Sequence, residues 1–177
     1  MRSAREGLET LYEVLRAEGG PVAEALREPP AGGFERPGPA QVAASGPRAR
    51  AASREYELLL EMILEGARLH YGEPILVRPA DADLQLLLGD QLYALGLERL
   101  AALGDLDAVR ELADVISLIA QAHAEGDPER ARAVWEAGAV ALGWGRDDRH
   151  DAAKALARAN VASAAGELLA AAHRDGR

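Results

Sequence analysis

At 177 residues the chain is long enough for one helical domain (1–177) with a real core and too short for two comfortable ones. It is acidic, with 29 Asp and Glu against 20 Lys and Arg and no basic stripe, so no nucleic-acid partner is expected. It has no cysteine, which excludes disulfide and thiol chemistry, and neither the charged N-terminus MRSAREGLETLYEVL nor any later apolar run suits a leader or membrane span; a soluble, cytoplasmic protein is expected.

Abundant alanine and scarce aromatics favour close-packed helices, and no strand-like alternation appears. Leu8, Leu11, Tyr12 and Leu15 recur at helical spacing, and the pattern stops at Gly19-Gly20-Pro21. Residues 29–50 hold five of the nine prolines and four glycines, which predicts a loop or linker. A helix is predicted from Ser53, read as its N-cap, to Gly72, with an apolar stripe of Tyr56, Leu59, Leu60, Ile63, Leu64 and Ala67. Glu57, Glu61 and Glu65 lie on a neighbouring stripe, which reads as a solvated face on spacing alone.

From about Asp83 the chain reads LQLLLGDQLYALGLERLAALG, apolar almost all round, so a central, largely buried helix is expected. Gly89 inside it costs roughly 1 kcal/mol against alanine, and a buried Asp90 needs a partner. Close approach of a neighbouring helix at Gly89 and a hydrogen bond across the bundle from Asp90 would offset both; a helix beginning near Asp90 is the alternative. Further helices are predicted over 106–123, 128–142 and about 148–172. The paired look of 104–138 keeps a repeat-type scaffold as an alternative to a bundle.

The stretch EMILEGARLHYGEPILVRPADADLQLLLGDQLYALGLERLAALGD, Glu61 to Asp105, resembles the all-helical trans-isoprenyl diphosphate synthases, or polyprenyl synthetases. Their first aspartate-rich motif and its sequel read approximately D-D-x-x-D-x-A-x-L-R-R-G-x-P, followed by a helix beginning L-x-G-D-x-L. Glu61-Met62-Ile63-Leu64-Glu65 falls on the aspartates, Gly66-Ala67-Arg68-Leu69 on the spacer, and His70-Tyr71-Gly72-Glu73-Pro74 on R-R-G-x-P. Gly89-Asp90-Gln91-Leu92 falls on G-D-x-L. Upstream, GGFERP keeps only Arg36 of a basic G-G-K-R-x-R-P, and downstream Arg130 falls near a lysine position. The resemblance implies an antiparallel helix bundle like a shortened isoprenoid synthase, with an apolar cavity and a dimer interface.

The resemblance also implies losses. The family's carboxylates hold Mg²⁺, whose shell is completed by diphosphate oxygens, and the metal neutralises the leaving diphosphate. Here Glu61 and Glu65 are residual candidates for a cation, but Met62 replaces the second aspartate, and a thioether does not bind magnesium. His70 and Tyr71 replace the arginines that grip diphosphate, and the second aspartate-rich motif has no counterpart near the end of 160–175.

Asp147, Asp148 and Asp151 do spell Asp-Asp-x-x-Asp, but upstream of that position and after Gly-Trp-Gly. They read as a helix start, with Asp148 as N-cap and Asp151 as a capping-box acid. The four histidines lack zinc-ligand spacing, no nucleophile elbow or phosphate-cradling loop appears, and Trp135 and Trp144 read as core or interface residues. The alanine-rich last helices suit close packing within the bundle or across a dimer.

Three functions follow. The first is a non-catalytic family member, a partner subunit of a full-length prenyl synthase or a homodimeric scaffold. The second is a binding protein for an isoprenoid or other hydrophobic ligand. The third, least favoured, is a divergent Mg-dependent prenyltransferase; otherwise no cofactor is expected.

Overall fold

The computed structural model describes residues 1–173, which form an all-α bundle of nine helices and an isolated β-bridge between Leu26 and Val77. The helices are α1 (Ala4–Glu18), α2 (Gly20–Glu24), α3 (Pro39–Ser45), α4 (Ser53–Tyr71), α5 (Ala82–Ala102), α6 (Leu106–Ala124), α7 (Pro128–Trp144), α8 (Asp148–Arg158) and α9 (Ala164–Ala172). Capping sets most starts. Ser3 and Glu6 form a capping box at α1, and the side chains of Asp81, Asp105, Asp127 and Asp147 each accept a backbone N–H of the helix that follows.

The centre of the bundle is α4, not α5. Leu59, Leu60, Ile63 and Leu64 of α4 join one apolar cluster with α3, α6, α7, α8 and α9, while Leu58, Met62 and Leu69 join a second with α1, α2 and the first half of α5. A helix with a core on both sides has no solvated stripe. Glu57, Glu61 and Glu65 accordingly lie on the seam, 4%, 2% and 0% exposed, which overturns the solvated face that their spacing suggests.

α5 is instead an outer helix. It is continuous through Gly89, but Leu86 and Leu87 are 50% and 65% exposed, contrary to the expected central element. An apolar run on all sides fails as a burial signal because full burial is confined to Leu88, Gly89, Leu92, Gly96 and Leu100, while Leu84, Tyr93, Leu95 and Leu97 pack against the core only in part. The close approach expected at Gly89 is present: a Cβ there would lie 2.7 Å from His70 Nε2 and 3.3 Å from the Gly66 carbonyl. Asp90 is not buried; at 73% side-chain exposure it reaches His70 from the surface, Oδ1 to Nε2 3.1 Å.

Three further expectations are corrected. The proline-rich segment is not all loop: α3 forms inside it because Gly38 precedes the helix and Pro39 opens it, where a missing N–H costs nothing, and no proline follows until Pro47. Ser53 does not cap α4; it is the first helical residue, and its Oγ donates to the Ala44 carbonyl at 2.7 Å. The predicted helix over 148–172 is two helices. Asn160, at φ 54, leaves the right-handed region and ends α8 without a glycine or proline to announce it.

Candidate functional site

The ends of α4 and α6, the start of α3, the middle of α7 and the end of α9 enclose a cavity of about 720 Å³. Its deep wall is apolar: Leu64, Ile119, Ala139, Val140 and Ala172 line it and are almost fully buried. Its rim is polar and reaches solvent, with Arg68, Tyr71, His123, Arg132, Glu136 and His173. Tyr71 stacks on His123 with ring centroids 4.8 Å apart and planes 9° apart, tying the last turn of α4 to the last turn of α6. Trp135 packs against the main core cluster, in keeping with its reading as a core residue, and also lines the cavity.

The two acids at the metal-motif positions do not face this cavity and do not share a site. Glu61 turns to α3, where Gln41 Nε2 donates to Glu61 Oε1 at 2.8 Å and to Glu57 Oε1 at 2.9 Å. Burial pushes the Glu61 carboxyl up to about 7, against the opposing pull of the Gln41 hydrogen bond and the Arg68 charge. Glu65 turns the other way. Its Oε1 accepts the Leu76 and Val77 N–H groups at 2.6 and 3.0 Å, and Arg68 Nη1 donates to its Oε2 at 3.2 Å. Arg27 straps the same loop from outside, donating to the Pro74 and Ile75 carbonyls. The Glu65 carboxylate thus acts as a buried cap for the α4–α5 loop.

The remaining candidates scatter. His70 stacks on Tyr93, centroids 5.2 Å apart, against Gly89 rather than in the cavity, whereas the adjacent Tyr71 is on the rim. Gly72 ends α4, donating to the Arg68 carbonyl at 2.9 Å, and borders the cavity. The exposed Arg36 precedes Pro37, which also borders it. Arg130 is buried away from the cavity, where it clamps Glu125, Asp127 and Asn160. Arg132, one turn-fraction further along α7, is the residue that faces the rim; only the helical phase of α7 separates the two.

The Asp-Asp-x-x-Asp run is a helix start, with the cap one residue earlier than expected. Asp147 Oδ1 accepts the His150 N–H at 2.9 Å, Asp148 is the first residue of α8, and Asp151 lies 3.6 Å from both Arg146 and Lys154. Among the described residues no three His, Asp or Glu side chains converge as metal ligands.

Sequence reasoning missed a second buried charged cluster. Lys154 Nζ donates to Glu111 Oε2 at 2.5 Å and to Asp114 Oδ2 at 2.8 Å, and His150 Nε2 lies 2.6 Å from Glu111 Oε1. Burial raises the Glu111 carboxyl, but His150 and Lys154 together outweigh it and hold the group below its usual range. The available signal was the spacing of His150, Lys154 and Arg158 at i, i+4, i+8 on α8.

A scan against protein-family models and searches of curated proteins and of solved structures found no match to this chain.

Proposed function

We propose that the chain is an isoprenyl diphosphate synthase-like protein without metal-dependent catalysis, and that it binds an isoprenoid or similar amphiphile in its bundle cavity. The observation that carries this reading is the polarity gradient: an apolar floor at Leu64, Ile119 and Val140 beneath a rim of charged and aromatic groups, in a volume within the usual range for small-molecule sites. The resemblance over Glu61–Asp105 supports an isoprenoid as the chain. Loss of catalysis is supported by Glu61 and Glu65, each turned into the protein and hydrogen-bonded there. Mass spectrometry of lipid extracted from the purified protein should find a stoichiometric amphiphile. A lipid-free protein whose thermal unfolding ignores added farnesol would refute the binding role, and formation of a longer prenyl diphosphate with Mg²⁺ would refute the loss of catalysis.

A second reading, as a subunit of a homodimer or of a heterodimer with a prenyl synthase, has its own support. Leu86 and Leu87 on α5 and Leu106 at the start of α6 leave large apolar side chains half-exposed or more. Sedimentation of the purified chain, alone and with a full-length synthase, checks this; a monomer in both runs would remove it.

A further inference from the structure

We infer that the cavity rim selects a head group bearing at most one negative charge and holds it without a metal ion. This rests on the proposed binding role and asks which end-group the rim can accept. Both guanidiniums on the rim are already committed: Arg68 Nη1 lies 3.2 Å from Glu65 Oε2, and Arg132 pairs with Glu136, its neighbour one turn along α7. With both pairs intact, the two guanidiniums and their carboxylates carry no net formal charge. A hydroxyl or a single carboxylate fits such a rim, accepting from the remaining guanidinium N–H groups or from His123.

A diphosphate brings about three negative charges that need several uncommitted cations, a nest of backbone N–H groups or a chelated metal. Uncommitted arginines are missing for the reason just given. The backbone of the cavity edge is closed as well, because the Gly38 N–H donates to Gln41 Oε1 at 2.9 Å and Pro39 has no N–H. For chelation the rim offers one carboxylate among the described residues, Glu136, and it is spent on Arg132. Glu136 is therefore the residue that sets the charge limit, by neutralising Arg132 where a phosphate would need it.

Calorimetric titration of the full chain with farnesol, farnesoic acid and farnesyl diphosphate, each with Mg²⁺ and with a chelator, tests the inference. The alcohol and the acid should bind at least ten-fold more tightly than the diphosphate, and Mg²⁺ should change none of the three. Tightest binding of the diphosphate, or Mg²⁺-dependent gain, would overturn the charge limit while leaving the cavity role intact. Binding of none would remove both. In E136Q, release of Arg132 should strengthen diphosphate binding about five-fold relative to farnesol binding, the effect of one unpaired charge near the surface. An unchanged ratio of the two affinities would overturn the role given to Glu136.

Discussion

The bundle buries carboxylates in two places and satisfies them in opposite ways. On α4, Glu57 and Glu61 share the single amide of Gln41, Glu57 also takes an ion pair from Arg2 at its other oxygen, and Glu65 is met by two backbone N–H groups and one arginine. Between α6 and α8, Glu111 meets a buried lysine and a buried histidine. The first solution leaves Glu61 inclined to keep its proton, and the second holds Glu111 ionised. An acid in an amphipathic helix therefore does not announce whether it is solvated, neutral or paired; the group that faces it decides.

This difference can be broken most severely at Lys154. K154A leaves Glu111 buried with one cationic partner fewer, and should cost about 3–5 kcal/mol in urea denaturation. A loss below 1 kcal/mol would mean that water reaches Glu111 and that the cluster is not a buried pair.

The two regions also titrate with opposite sign. Glu61 has its folded value raised from 4.5 to about 7, so between those values the folded protein keeps a proton that the unfolded chain has released. Stability should fall as pH rises through that window and level off above about 7, by about 3 kcal/mol from this group. E61Q should remove the slope and be the more stable protein above about 7. Glu111 is lowered, so its contribution is present above 4.5 and is lost as acidification passes its folded value. Parallel urea titrations of wild type and E61Q check both; an identical slope in E61Q would assign the pH dependence elsewhere.

Smaller effects sharpen the local roles. E65A should cost about 2–3 kcal/mol by leaving the Leu76 and Val77 N–H groups without their acceptor, and hydrogen exchange should speed selectively at those two amides. D147A should cost about 1 kcal/mol as the loss of a helix cap, and D148A no more than about 0.5 kcal/mol. Equal losses in the two would contradict capping by Asp147.

Much of the fold was legible in local signals. The extents of α6 and α7 follow from Asp caps, Pro128 and apolar spacing, and Gly89 correctly announced a close helix contact. What failed required knowledge of neighbours. Spacing shows that Glu57, Glu61 and Glu65 share a side of α4, but only the placement of α1 and α3 over the first two and of the α4–α5 loop over Glu65 makes that side interior. Likewise Leu86 and Leu87 look buried from their own helix and are exposed because, among the described residues, no second layer covers them. The break at Asn160 escaped because the residues around it favour helix, and the turn is clamped by Arg130 from a distant helix. Of the site, Arg68, Tyr71 and Gly72 were marked by motif position, whereas Arg132, Trp135 and His123 come from helices that only folding brings together.

The cavity role is tested most directly through Trp135. The chain has two tryptophans, so W144F leaves Trp135 as the sole reporter inside the cavity. Titration of that variant with farnesol should give a saturable change in tryptophan emission, abolished when a second amphiphile competes. Emission that stays unchanged to the solubility limit of the ligand would contradict the account.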